Sequence, residues 1–200
     1  PIDIDQDLID QHKNNLKMMP FLHLPIQTGS DIILEKMNRK HNRQFYLNLI
    51  SKIRENNNDM AFSSDFIVGY PGETDYDFSE TLDLIEKVRF ASSYSFKYSA
   101  RPGTPASFDK NNIDEVKADI RLRKIQELLN SQQREFNLSF IGKTIDVLFI
   151  KKGKKNNQFV GRTPHLQPVH VYSSTNLIGK TEKVKISDLT SFSFHGNLIT

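Results

Sequence analysis

The sequence predicts an α/β chain in which a partial (β/α) barrel is followed by a small all-β barrel of OB type. Three observations point there. Up to about residue 140, apolar residues fall into the order strand, helix, strand, helix, strand with short connections, as in right-handed βαβ units. From residue 145 onward the pattern changes to five short strand-like runs split by Gly, Asn and Lys clusters. The charge changes with it: from Ile141 onward nine Lys and Arg stand against three Asp and Glu, whereas residues 1–140 carry eighteen against twenty-one. A closed eight-stranded (β/α) barrel takes roughly 250 residues, so three strands cannot complete one. The expected domains are residues 1–132 and 133–200.

Residues 21–26, FLHLPI, read as a short buried strand broken by Pro25, followed by Gly29 and a Ser30 suited to cap a helix. His23, within this apolar run and without a partner at metal-ligand spacing, reads as a core residue. Over 42–56, Phe45, Leu49 and Ile53 recur every four residues and predict a helix with one apolar stripe. Residues 60–68 form the second strand. Thr74 then caps a helix in which Phe78, Leu82, Ile85 and Val88 share a face, with Asp77 placed for a capping box. In SYSFKYS, Tyr94, Phe96 and Tyr98 alternate onto one side of a third strand. A long helix over 114–140 is expected to bury Val116, Ile120, Ile125, Leu128, Leu129 and Phe136. The barrel strands are placed at 145–150, 159–162, 167–172, 182–186 and 192–199.

Cysteine is absent, which excludes disulfides and any thiolate metal or iron–sulfur site built from this chain, and no other metal-ligand set is expected in it. No apolar run approaches the eighteen or so residues that cross a bilayer, and the N-terminus lacks a secretion signal's pattern, so no membrane association and a cytoplasmic setting are expected. The chain starts at Pro1 without Met and is expected to be part of a longer protein.

Ligands of α/β folds gather at the C-terminal ends of parallel strands, and three loops occupy that position. FIVGYPGET runs a strand into a turn where Gly69 and Gly72 permit close backbone approach and Pro71 stiffens the chain; Glu73 either reads an adenine edge or an amine, or is solvated. HLPIQTGSD repeats the design one unit earlier. There Gln27, Thr28, Gly29 and Ser30 suit ribose hydroxyls or serve as ordinary cap residues. SARPGTPAS ends the third strand with Arg101, which either grips a carboxylate or phosphate or forms a structural ion pair. In the basic region, KKGKKNNQ sets Lys151, Lys152, Lys154 and Lys155 in a hairpin, either a phosphate-contacting loop or a soluble turn. Arg162, His165 and the region's charge favour RNA or DNA.

Together, HLPIQTGSDIILEKMNRKH, SSDFIVGYPGET and YSFKYSARPGTPAS resemble the later part of the radical S-adenosylmethionine (AdoMet) methylthiotransferases, closest to the branch that modifies isopentenylated adenosine in tRNA. The resemblance runs from about Phe21 to the C-terminus. It implies the last three strand–helix units of a radical AdoMet core, followed by a TRAM domain, that family's small RNA-binding β-barrel. Gln27, Thr28, Gly29 and Ser30 would lie at the AdoMet ribose, and Asp65, Ile67, Val68, Gly69 and Glu73 at the adenine site. Arg101 would stand at the mouth near substrate or cofactor, and Lys151, Lys152, Lys154, Lys155 and Arg162 would meet RNA.

The implied reaction adds a methylthio group to C2 of N6-isopentenyladenosine beside the anticodon. One AdoMet would give the methyl group and a second a 5'-deoxyadenosyl radical. Two 4Fe-4S clusters are required, both ligated outside this chain, which is therefore expected to be inactive by itself. The implied partners are a tRNA anticodon stem–loop and donors of sulfur and electrons, and a monomer is expected. Other readings are a standalone RNA-binding module from a split or decayed gene, and a sister methylthiotransferase acting on threonylcarbamoyladenosine or a ribosomal protein.

Overall fold

A computed structural model describes every residue except Leu16, Lys110, Phe192 and Thr200. The chain divides into two compact units, one of residues 1–18 and 22–133 and one of residues 19–21 and 134–200. In the first, to which β1 belongs except for its first residue, α1 (Gln6–Asn14) precedes β1 (Phe21–His23), α2 (Asp31–Lys36) and α3 (Arg43–Asn56) lead into β2 (Ala61–Val68), and α4 (Asp75–Val88) leads into β3 (Ser92–Lys97). The strands form one sheet in the order β1-β2-β3. β2 and β3 are parallel, Ser63 opposite Ser92 through Val68 opposite Lys97.

β1 is shorter than its apolar run. Pro25 has no N–H for a ladder, and the chain rejoins β2 only at a parallel bridge between Gln27 and Phe66, with Gln27 at a φ of +81°. His23 is a correction: it is exposed, not a core residue. Its Nδ1 lies 2.7 Å from Ser63 Oγ and its Nε2 3.5 Å from Asp65 Oδ2, so polar neighbours on β2 hold it on the surface.

The sheet is two-sided in chemistry. Phe62, Phe66 and Val68 are fully buried and join Leu49, Ile53, Ile85 and Ile125 of the helices in one core. On the opposite parity Asp65 and Ile67 are half-buried, and their register partners Tyr94 and Phe96 are exposed. The aromatic alternation expected in β3 is thus present, but it faces away from the core.

Helix stripes follow available partners more than apolarity. In α3, Tyr46 replaces the exposed Phe45 in the core because its hydroxyl donates to Leu24 O at 2.9 Å. In α5 (Glu115–Leu138), Val116 and Ile120 are exposed, and the buried side is Ala118, Arg121, Ile125, Leu129 and Gln132. Arg121 turns inward because a carboxylate waits there, and Gln132 because it donates to Ile85 O and accepts from Phe90 N.

In the second unit β4 (Thr144–Lys152), β5 (Gln158–Arg162), β6 (Pro168–Tyr172), β7 (Thr181–Leu189) and β8 (Phe194–Leu198) close a barrel in the order β4-β5-β6-β8-β7. Only β6 and β8 pair in parallel. Val147, Phe149, Val169, Val171, Val184, Ile186 and Phe194 fill it by strict alternation. The last strand was expected from residue 192, which lies outside the described residues.

Candidate functional site

The three loops singled out above follow β1, β2 and β3, and so share the C-terminal edge of the sheet. The first, Gln27 to Ser30, is locked onto α4. Thr28 Oγ1 and Thr81 Oγ1 are 3.0 Å apart, Gly29 N donates to Thr81 Oγ1 at 2.9 Å, and Ser30 Oγ donates to Asp77 Oδ1 at 2.5 Å. Arg43 adds donors to Gly29 O, Glu80 O and Asp83. A Cβ on Gly29 would meet Glu80 O at 2.5 Å and Thr81 Cα at 2.7 Å, so only glycine permits this approach of loop and helix backbone. The Thr28 and Ser30 hydroxyls are thus committed inside the protein, and Ser30 caps α2 by accepting from Ile33 N.

The second loop is closed by its own carboxylate. Glu73, 2% exposed, accepts from Gly69 N at 2.8 Å and from Arg121 Nη1 at 2.6 Å. Arg121 also donates to Glu73 O and to Asp75. Burial pushes the Glu73 carboxyl above the ordinary range, against the Gly69 N–H and the Arg121 guanidinium. Glu73 is therefore neither solvated nor open to a ligand through Oε2; Oε1 is buried with no hydrogen-bond partner among the described residues. Gly69 has a φ of +73° with Ala118 Cβ 3.0 Å from where its own Cβ would lie, which explains why α5 presents an alanine here. Sequence reasoning missed Arg121. The sequence held only a partial signal, since Arg121 falls four residues before Ile125 of the expected stripe but its carboxylate partner lies far off along the chain.

Asp77 ties the two loops together, accepting from Ser30 Oγ and, in the capping box, from Thr74 N and Oγ1. Burial alone would raise its carboxyl, but these hydrogen bonds outweigh it and hold it below the ordinary range. A carboxyl so depressed stabilises the fold fully above its unfolded value, near ~3.9, and loses that contribution as pH falls through its lower folded value. Asp77→Asn is accordingly expected to cost about 1–2 kcal/mol at pH 7. In urea titrations the deficit should shrink as pH falls below the unfolded carboxylate value and through the lower folded one; a deficit that does not vary with pH would contradict this assignment.

The third loop leaves β3 through Tyr98, whose N donates to Val68 O, and returns to the turn where Gly72 N donates to Asn111 O. Arg101 is exposed, and its guanidinium has no hydrogen bond or ion pair among the described residues. Tyr98 packs edge-on against Tyr70 at 5.0 Å, its buried hydroxyl without a partner among the described residues.

Below these loops, the open face of the sheet offers Ile67, Tyr94 and Phe96 as apolar surface, with Asp65 and His23 as polar groups. That chemistry fits a nucleoside: a flat apolar floor beside a carboxylate able to accept from hydroxyl or amino groups. An iron–sulfur cluster does not fit. There is no cysteine in the chain, and no group of His, Asp and Glu that could hold a metal ion among the described residues.

On the barrel, Lys151, Lys152, Lys154 and Lys155 are exposed and none is ion-paired among the described residues. Arg162 is exposed, with Nη1 donating to Leu166 O at 2.7 Å. His165, counted above with the basic surface, is corrected: it is 6% exposed and packs between Phe136 and Phe140 at ring distances of 5.5 and 5.3 Å. His170 and His195 pair on β6 and β8. Burial, His195 and Lys151 hold His170 below the ordinary imidazole range, so at neutral pH it adds no charge to the basic surface. No helix among the described residues is long and apolar enough to cross a membrane.

Comparison with known proteins agrees with this geometry. The radical SAM superfamily model matches residues 1–85, and the TRAM domain model matches residues 138–199. The chain is 48% identical over 201 residues to a tRNA-2-methylthio-N(6)-dimethylallyladenosine synthase of Rickettsia canadensis (strain McKiel). It is 46% identical over 200 residues to the protein of the same name from Rickettsia felis (strain ATCC VR-1525 / URRWXCal2). Each match covers all of this chain and 45% of the relative, so the chain spans about half the length of the curated relatives it matches. The chain thus carries a segment that matches the radical SAM superfamily and a C-terminal segment that matches the TRAM domain, and along its whole length it is similar to part of two proteins named as tRNA-2-methylthio-N(6)-dimethylallyladenosine synthases.

Proposed function

We propose that the chain is the AdoMet-facing and tRNA-binding part of an enzyme that adds a methylthio group to C2 of N6-isopentenyladenosine in the tRNA anticodon loop. The observation that carries this reading is 46–48% identity over the whole of this chain to relatives named for that modified nucleoside.

AdoMet, when bound, supplies the methyl group and the radical for hydrogen abstraction. The chain's own residues position it. With AdoMet bound, Ile67 and the Val68–Gly69 backbone would hold the adenine, Asp65 would accept from the nucleoside, and Gln27 with the backbone of Thr28 to Ser30 would hold the ribose side. Glu73 acts here by fixing Gly69, and the Thr28 and Ser30 hydroxyls by fixing their loop to α4. The unpaired Arg101 stands at the mouth, ready for an anionic group of substrate or cofactor. Lys151, Lys152, Lys154, Lys155 and Arg162 bind tRNA phosphates. Both clusters come from outside this chain, which has no cysteine and is inactive by itself.

Nucleoside analysis of tRNA from cells deleted for the coding region tests the substrate. Loss of 2-methylthio-N6-isopentenyladenosine with accumulation of N6-isopentenyladenosine is expected. An unchanged profile would overturn the assignment, and selective loss of methylthiolated threonylcarbamoyladenosine would transfer it to the sister activity.

A further inference from the structure

We propose that the groove between the β4–β5 hairpin and the β6–β7 loop holds one unpaired RNA nucleotide and reads its base, which rests on the reading above that the barrel binds RNA. The groove has a volume of about 410 Å³, within the roughly 300–1,000 Å³ of ordinary ligand pockets. Two walls of different chemistry form it. Lys152 and Lys155 line one side, and no acidic residue lines any part of it. Asn156, Asn157, Ser173 and Asn176 are among its other polar residues, beside Gln158, Ser174 and Thr175.

These amides are not consumed by the fold. The side chains of Asn156 and Asn157 make no hydrogen bond among the described residues, and Asn176 uses only its Oδ1, which accepts from Ile178 N. Asn157 sits at a φ of +55° and accepts from Ser173 N through its carbonyl, so its backbone closes the groove while its carboxamide stays free. A carboxamide carries donor and acceptor side by side and matches the paired donor and acceptor of a base edge. Such edges are reachable in RNA only where the base is unpaired. Tyr172, 52% exposed, pairs in register with the groove-lining Gln158 and directly precedes the groove-lining Ser173, and so provides a stacking surface beside the groove. The lysines then hold the nucleotide's phosphate, the asparagines its base edge and Tyr172 its ring.

The test is fluorescence anisotropy with the full 200-residue chain, across a salt series, on a labelled RNA stem–loop and on a fully paired RNA duplex. Asn156→Ala with Asn157→Gly removes both amides while keeping a residue at 157 that accepts positive φ; Tyr172→Thr removes the ring but keeps strand propensity. Each variant is expected to lose about tenfold in affinity for the stem–loop. Affinity for the duplex and the salt slope should be unchanged. Lys152→Ala with Lys155→Ala should weaken both RNAs and flatten the slope. If the asparagine and tyrosine variants match the unsubstituted protein, or weaken both RNAs equally, the groove does not read a base although the barrel binds RNA. If the unsubstituted protein binds neither RNA, both readings fall.

Discussion

Replacing Arg121 with alanine should lower the stability of the first unit by about 3–5 kcal/mol, the loss that follows when one member of a buried ion pair is deleted. The Arg121 side chain is 3% exposed and that of Glu73 1%. The guanidinium holds Glu73 Oε2 at 2.6 Å and Glu73 O at 3.0 Å, and reaches Asp75 at 2.7 Å. Its loss strands a carboxylate whose burial already works against ionisation. It also frees the Gly69–Glu73 turn, so the strand-end loop loses its shape along with the fold. A double variant separates charge from volume: Arg121→Met with Glu73→Gln keeps an acceptor for Gly69 N and leaves no buried charge, and should recover most of the loss. Urea unfolding is the measurement. A single variant within about 1 kcal/mol of the unsubstituted protein would show that the pair is not what closes the turn.

Substituting Lys151, Lys152, Lys154 and Lys155 together by alanine should cost on the order of a hundredfold in RNA affinity at low salt. The slope of log affinity against log salt should fall by about 3, since each phosphate contact to single-stranded nucleic acid contributes about 0.7. All four are exposed and outside the barrel core, so melting should hardly change. Affinity within twofold of the unsubstituted protein, at an unaltered slope, would move the RNA-binding surface elsewhere on the barrel.

The closed barrel could be read from the chain because its strands are short, locally patterned and filled by alternating Val, Ile and Phe. Likewise the Thr74–Asp77 capping box needs only four consecutive residues. Long-range pairing was not readable. Glu73 and Arg121 lie 48 positions apart, and nothing near either says that each completes the other. The same holds for Ser30 with Asp77 and Thr28 with Thr81, hydroxyls that suit a ribose in isolation and instead bind α4. Apolarity misplaced the α5 stripe because an arginine counts as polar until its carboxylate is found, and it placed Phe45 in the core where Tyr46 has both the ring and a hydrogen-bond acceptor. His165 misled in the other direction: a cationic residue by type, it is an aromatic filler by position.

Whether these strand-end loops and this barrel serve methylthiolation can be measured directly. The direct measurement replaces the matching portion of the Rickettsia canadensis relative, 48% identical to this chain, with the chain itself, loads the clusters and quantifies methylthiolated tRNA. The graft is expected to form product, abolished by Asp65→Ala and reduced by the four-lysine substitution. A folded, cluster-loaded graft that binds tRNA but makes no methylthiolated nucleoside would contradict this expectation.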